Sequence, residues 1–332
     1  MRHTFLCLDG HTGGNPVRVI AGGGPVLKGR TMSEKRQDFL AHHDWIRTAL
    51  MFEPRGHDMM SGAIFYPACS PNADASILFV ETSGCLPMCG HGTIGAVTLA
   101  LENGLIQVRD RNQIILDTPA GQIRADIEWD GAHVAGVRIF NVTSFLAHKA
   151  VEIHSPELGR LTVDIAYGGN FYAIIESQDG YRDLADYTPS QLVSMSPAIR
   201  AAAGAAAECV HPDDATVHGV SHVMWTGAPT VEGAHARNAV FYGERAIDRS
   251  PCGTGTSARM AQLEARGDLR VGDEFIHESV IGSLFHGRVE AADSLGGQPA
   301  IRPSIRGWAV QTGINTIFVD DRDPFRDGFQ LS

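Results

Sequence analysis

The sequence predicts a mixed α/β chain built from two similar halves, and three observations carry that prediction. Short runs of β-forming residues recur along the chain, each followed within a few residues by Gly, Pro, Asn or Asp. A few helical stretches interrupt them. One local device, Cys89-Gly90-His91-Gly92-Thr93, returns as Cys252-Gly253-Thr254-Gly255-Thr256, each time just ahead of a helical pattern.

Ile77-Leu78-Phe79-Val80, Val137-Arg138-Ile139-Phe140, Phe171-Tyr172-Ala173-Ile174-Ile175 and Asn315-Thr316-Ile317-Phe318-Val319 read as strands. Met32 to Met51 reads as one long amphipathic helix capped by Ser33, with Phe39, Leu40, Trp45, Ile46 and Leu50 on its apolar face. The Ala-rich stretch Pro197 to Cys209 reads as another helix. Behind Cys89, the residues Ile94, Ala96, Val97, Leu99, Ala100 and Leu101 make a helix that is apolar almost all round, which places it at the centre of its half. Asn103-Gly104 stops it, as Arg266-Gly267 stops the helix behind Cys252.

A length of 332 residues suits about two domains. The expected division is 1–140 plus about 312–332 around Cys89, and 141–311 around Cys252. The balance of 27 basic against 38 acidic residues gives a net charge of −11, and Lys28, Lys35 and Lys149 are the only lysines. That removes the basic footprint of a nucleic-acid binder or a membrane-surface protein and leaves small-molecule chemistry. The stretch from Met1 to Gly10 has too short an apolar core for a signal peptide, and no later run approaches about 18 apolar residues, so the expected address is the cytoplasm. In a reducing compartment, Cys7, Cys69, Cys85, Cys89, Cys209 and Cys252 are expected as thiols rather than bridges.

Gly90-His91-Gly92-Thr93-Ile94-Gly95 matches a dinucleotide fingerprint, but such a fingerprint must follow its strand directly. Here Ser83 to Cys89 intervene. Cys85, Cys89 and His91 invite a zinc reading, yet no second clustered pair accompanies them; neither a metal nor a cofactor is expected. A cysteine ahead of a helix N-terminus is a different matter. Its thiolate is favoured by the positive helix end, and the glycines behind it let backbone amides approach a carboxylate. Two such devices, one thiolate and one thiol on opposite faces of a tetrahedral carbon, would invert that carbon without a cofactor. Asp248, four positions before Cys252, and His91 suit an ammonium-type nitrogen, and His222 is placed to enter the same pocket; each is also readable as an ordinary cap or satisfied polar group. The glycine turns alone would equally serve a non-catalytic amino-acid binding protein.

Met88-Cys89-Gly90-His91-Gly92-Thr93-Ile94-Gly95 with Asp248-Arg249-Ser250-Pro251-Cys252-Gly253-Thr254-Gly255-Thr256 resembles the proline racemase family, and within it the 4-hydroxyproline 2-epimerases. Asp9-Gly10-His11-Thr12, Gly14-Asn15-Pro16-Val17-Arg18, Arg55-Gly56-His57-Asp58-Met59, Asp117-Thr118-Pro119-Ala120-Gly121, Tyr167-Gly168-Gly169-Asn170-Phe171 and Asp320-Asp321-Arg322-Asp323-Pro324-Phe325 extend the resemblance over nearly the whole chain. It implies two similar α/β domains of the diaminopimelate epimerase-like type, each a curved, mostly antiparallel sheet around a central helix, with the active site in the cleft between them. It makes Cys89 the base for the L-type substrate and Cys252 the acid. Gly90, His91, Gly253 and Thr254 would bind the carboxylate, and Asp248, His222 and His91 would surround the ring nitrogen. Cys252 separates the chain from 3-hydroxyproline dehydratases, which generally carry Thr there. Ser61 and Tyr242 stand where proline racemases tend to carry Phe, so 4-hydroxyproline is favoured over proline, with proline racemisation as the nearer alternative. The expected partner is the small-molecule substrate, and a homodimer is the candidate assembly.

Overall fold

The structure, a computed structural model, describes residues 2–331. The first part of the chain runs β1 (Arg2–Thr12), β2 (Asn15–Gly22), α1 (Met32–His42), α2 (Asp44–Met51), β3 (Ser61–Tyr66), β4 (Ala75–Glu81), β5 (Gly84–Leu86), α3 (Gly90–Glu102), β6 (Gln113–Thr118), β7 (Gly121–Asp130) and β8 (His133–Phe140). There follow β9 (Phe145–Ser155), β10 (Gly159–Tyr167), β11 (Phe171–Ile175), α4 (Pro189–Ala206), β12 (Val210–His211), β13 (Asp214–His218), β14 (Val220–Gly227), β15 (Ala236–Tyr242), β16 (Ala246–Ile247), α5 (Gly253–Arg266), β17 (Glu274–Glu278), β18 (Leu284–Leu295), β19 (Gln298–Gly307) and finally β20 (Ala309–Asp320). Residues up to Ile139, joined by those from Gly307 onward, form one compact unit, and Phe140–Arg306 form the other.

Within the first unit the strands lie in the order β20-β1-β2-β3-β4-β6-β7. The β2/β3 and β4/β6 pairs are parallel, the remaining pairs are antiparallel, and β5 forms a hairpin with β4. The second unit repeats this pattern as β9-β10-β11-β14-β15-β17-β18. Its parallel pairs are β11/β14 and β15/β17, and β16 forms the hairpin with β15. The echo seen in the sequence is therefore one visible piece of a repeat in which α3 corresponds to α5.

α3 is buried from Gly90 through Ala100. It can lie this close to its sheet because residue 95 lacks a side chain: a Cβ there would meet Val17 Cγ1 at 2.5 Å and Thr12 Oγ1 at 2.6 Å. In the second unit Gly168 plays the same part, since a Cβ on it would stand 2.2 Å from the Thr254 carbonyl. Other motif residues brace the first unit. Arg18 makes a two-pronged pair with Asp9, 2.8 Å on each arm, and donates to the carbonyls of Leu50 and Arg55. Arg55 in turn reaches Asp323 and the carbonyls of Phe325 and Arg326.

Two helix boundaries differ from expectation. Met32–Met51 breaks at His43 into α1 and α2, a bend that sends Phe39, Ile46 and Leu50 into the same core and leaves Leu40 exposed. The cap is Thr31, not Ser33: Thr31 Oγ1 accepts the Glu34 amide, and the Glu34 carboxylate accepts the Thr31 amide, a reciprocal pair that requires Glu three positions after the cap. The Ala-rich helix starts at Pro189, well before Pro197, because Thr188 and Gln191 form a second such box with Pro189 in the first turn, where its missing N–H is harmless. It ends at Ala206, so Cys209 lies outside it. No helix among the described residues is long and apolar enough to cross a membrane.

Candidate active site

Each of the paired cysteines occupies the N-cap of the buried helix of its unit. Cys89 is extended (φ −140°, ψ 108°), and its sulfur accepts the Gly92 amide at 3.3 Å. His91 lies against the same sulfur, Nδ1 to Sγ 3.6 Å, while its Nε2 is 3.0 Å from Asn15 Nδ2 at the start of β2. With an amide N–H₂ group facing Nε2, that nitrogen is the acceptor, which puts the ring hydrogen on Nδ1 and aims it at the thiol. Thr12 Oγ1 also donates to the His91 carbonyl at 2.9 Å.

Cys252 adopts φ 62°, and Cys252 and Ala150 are the two non-glycine residues with positive φ among the described residues. Such a backbone is strained for a side chain larger than Gly and persists only where its surroundings hold it. Here they do: Asp248 Oδ1 accepts the amide and hydroxyl of Ser250, both at 2.8 Å, and Ser250 Oγ accepts the Cys252 amide at 3.2 Å. Below the turn, Asn238 Nδ2 donates to the Pro251 carbonyl at 2.7 Å and reaches His277 Nδ1 at 3.0 Å. Part of Asp248 therefore does the bland work of holding a turn.

Helix-end electrostatics led to the expectation of two low-pKa thiols, and Cys252 departs from it. Burial is the larger effect and raises its pKa, the Asp248 charge adds to the rise, and donors from Tyr172, Gly255 and Thr254 oppose it without prevailing. Cys252 is held as a thiol.

Thr254, two positions after Cys252, corresponds to His91 in the other copy. Where Asn15 at the start of β2 braces His91, Tyr172 near the start of β11 braces Thr254: the phenol oxygen lies 2.5 Å from Thr254 Oγ1 and 3.4 Å from Cys252 Sγ. His222 sits beside Tyr172 in the parallel β11/β14 register and stacks on its ring at 4.7 Å between centroids. Its Nδ1 bonds Ser221 Oγ at 2.7 Å. Tyr242, at the end of β15, stacks 6.5 Å from His222. Thus Cys252, Gly253, Thr254, Asp248, His222 and Tyr242 gather around one end of the second unit's sheet, and Cys89, Gly90, His91 and Ser61 around the matching end in the first.

Two residues at these ends escaped the sequence reading. Glu81 closes β4, fully enclosed, with Oε1 accepting from Cys89 Sγ at 3.1 Å and from Ser61 Oγ at 3.2 Å. The available signal was a lone carboxylate ending an apolar run. In the sequence Tyr172 reads only as part of a strand. Glu81, Cys89 and His91 bring ligand-type atoms within 4.8 Å of one another, but these atoms bond each other beside the positive end of α3, which repels a cation. Cys85, the partner expected in a zinc reading, instead lies in the apolar cluster with Phe39 and Leu50. Burial pushes the Cys7 and Cys85 thiols up to about 12 and Cys209 to about 11, as befits packing residues. Cys69 is half-buried, and no pair of the six is bridged.

The family model described as proline racemase matches residues 7–330. The chain belongs to the proline racemase family. It is 60% identical over 331 residues to a 4-hydroxyproline epimerase of Brucella ovis, a match covering 100% of this chain and 99% of that protein, and equally to a 4-hydroxyproline 2-epimerase of Brucella suis biovar 1. Family members of solved structure superpose closely. A hydroxyproline epimerase from Agrobacterium vitis with bound trans-4-hydroxy-L-proline gives a TM-score of 0.91 at 29% identity, covering 99% of this chain and 95% of that one. A probable proline racemase from Agrobacterium radiobacter with bound carbonate gives 0.91 at 33% identity, covering 98% and 96%. The α/β fold expected from the sequence is the fold of this family.

Proposed function

We propose that the protein is a cofactor-independent 4-hydroxyproline 2-epimerase that interconverts trans-4-hydroxy-L-proline and cis-4-hydroxy-D-proline, with Cys89 and Cys252 as the proton-transfer groups on opposite faces of the α-carbon. The observation that carries the reading is the duplicated cysteine-capped helix. Each N-terminus offers a sulfur together with the first-turn amides of Gly90 and His91, or of Gly253 and Thr254, for the substrate carboxylate. In the L to D direction, Cys89 as thiolate takes the α-proton, its S–H bond forming as the C–H bond breaks. The S–H bond of Cys252 then breaks as its proton reaches the opposite face. Burial, which holds Cys252 protonated, suits that half of the reaction. Negative charge growing on the carboxylate is met by amide dipoles already in place. Asp248 and His222 are assigned to the ring nitrogen; the His91 ring, engaged by Asn15 and the Cys89 sulfur, is left to position the thiol.

The substrate assignment is supported by the Brucella relatives named 4-hydroxyproline epimerases and by trans-4-hydroxy-L-proline in the Agrobacterium vitis structure. We assign the Ser61 and Tyr242 hydroxyls to the substrate hydroxyl, whose recognition would favour 4-hydroxyproline over proline. A panel of trans-4-hydroxy-L-proline, L-proline and trans-3-hydroxy-L-proline, followed by chiral chromatography, tests the reading. The 4-hydroxy substrate should show the highest kcat/KM; a higher value for proline would overturn the substrate assignment, and no epimer from any of the three would overturn the activity.

A further inference from the structure

Glu81 is the one charged residue on β4, whose seven residues are all buried. Its two carboxylate oxygens are engaged by three short side chains: Oε1 by the Cys89 thiol and the Ser61 hydroxyl, and Oε2 by the Ser83 hydroxyl at 3.0 Å. The Cys89 sulfur thus donates to one group and accepts from two, the Gly92 amide and His91 Nδ1. These neighbours pull in opposite directions. The N–H groups and the helix end favour a thiolate, whereas a carboxylate 3.1 Å away in a water-poor setting repels a second negative charge and favours S–H.

We propose that Glu81 is the positioning residue that holds the proton on Cys89 and thereby sets the basicity of its thiolate. The inference rests on the reading of Cys89 as a proton-transfer thiol. A hydroxyproline α-proton is very weakly acidic, and a base of higher proton affinity abstracts it faster once formed. Without Glu81 the helix end would make Cys89 an abundant but feeble base. The same oxygen takes the Ser61 hydrogen, which leaves the Ser61 lone pairs to accept from a substrate hydroxyl.

The test is the pH dependence of Cys89 alkylation by iodoacetamide, read on the Cys89 peptide by mass spectrometry so that Cys252 is counted separately. In Glu81→Gln the midpoint should move to lower pH by about one unit or more, and the rise of kcat/KM with pH for trans-4-hydroxy-L-proline should move with it to a lower plateau. An alkylation midpoint that stays in place or moves to higher pH overturns the proposal. If the Gln variant does not fold, Glu81→Asp decides by the same readout: its carboxylate is withdrawn by one methylene, so an acid shift is still required, and an unmoved midpoint overturns the proposal. Alkylation needs no turnover. Failure of the wild-type protein to epimerise would therefore refute the proposed activity while leaving the Glu81 result readable.

Discussion

Tyr172→Phe removes one oxygen from the second unit and leaves the ring that stacks on His222. The lost atom is 2.5 Å from Thr254 Oγ1 and 3.4 Å from Cys252 Sγ, on a residue with no exposure. A net value of about 1 kcal/mol per buried hydrogen bond gives a loss of about 1.5–2 kcal/mol for one good bond and one long bond to sulfur. Roughly 1.4 kcal/mol is tenfold in rate, so if the whole loss falls on the transition state, in which Cys252 gives up its proton, kcat/KM should fall by up to about ten- to thirtyfold. The direction follows from the thiol: the phenol lowers the Cys252 pKa against burial, so its loss makes Cys252 a weaker acid and a scarcer base. Turnover should therefore slow from both epimers, which an unchanged overall equilibrium also demands. Initial rates from each epimer by chiral chromatography give the ratio, and Cys252 alkylation should begin at higher pH. A variant within twofold of wild type, with an unmoved alkylation profile, would refute the reasoning that Tyr172 acts on Cys252.

Other outcomes are equally specific. Ser61→Ala should lower the kcat/KM preference for 4-hydroxyproline over proline by about 5- to 150-fold, corresponding to about 1–3 kcal/mol, and an unchanged ratio in the substrate panel would remove Ser61 from substrate reading. Gly95→Ala should destabilise the protein by about 1–3 kcal/mol through contact with Val17 and Thr12, seen as a lower thermal midpoint that Val17→Ala partly restores. His277 is buried and neutral, its pKa pushed down to about 3 chiefly by burial, with the Arg259 charge second. Between that value and 6.5 the unfolded chain binds a proton that the folded chain does not, so stability is full above about pH 6.5 and falls by up to about 1.4 kcal/mol per unit as pH drops. Denaturant midpoints at pH 7 and pH 5 should show this slope, and His277→Asn should flatten it.

What the sequence made legible was local. The Cys-Gly turns, the apolar helix behind Cys89, and the stops at Asn103-Gly104 and Arg266-Gly267 all rest on residues within a few turns of one another, and each stands as read. The long helix through His43 did not, because a bend that keeps Phe39 and Leu50 in one core is a matter of tertiary packing rather than of period. Glu81 and Tyr172 escaped for a related reason. Tyr172 lies in a strand 80 positions before Cys252, and only the strand order brings it to the helix end; Glu81 stands just eight positions before Cys89, but only the fold of the β4/β5 hairpin turns it back onto the sulfur. Cys252 illustrates the limit of a dipole argument: the turn was found correctly, but the depth of its burial, which overrides the helix end, comes from the packing of β11 and β14.

The two-thiol claim is tested most directly by early-time isotope uptake in deuterium oxide. With one sulfur removing the α-proton and the other delivering a solvent-derived deuteron, epimer formed from trans-4-hydroxy-L-proline during the first few per cent of conversion should carry α-deuterium while recovered substrate carries almost none, and the same should hold starting from cis-4-hydroxy-D-proline. Deuterium appearing in recovered substrate as fast as in product, from either epimer, would mean a single group serving both faces and would contradict the assignment of Cys89 and Cys252 to opposite sides.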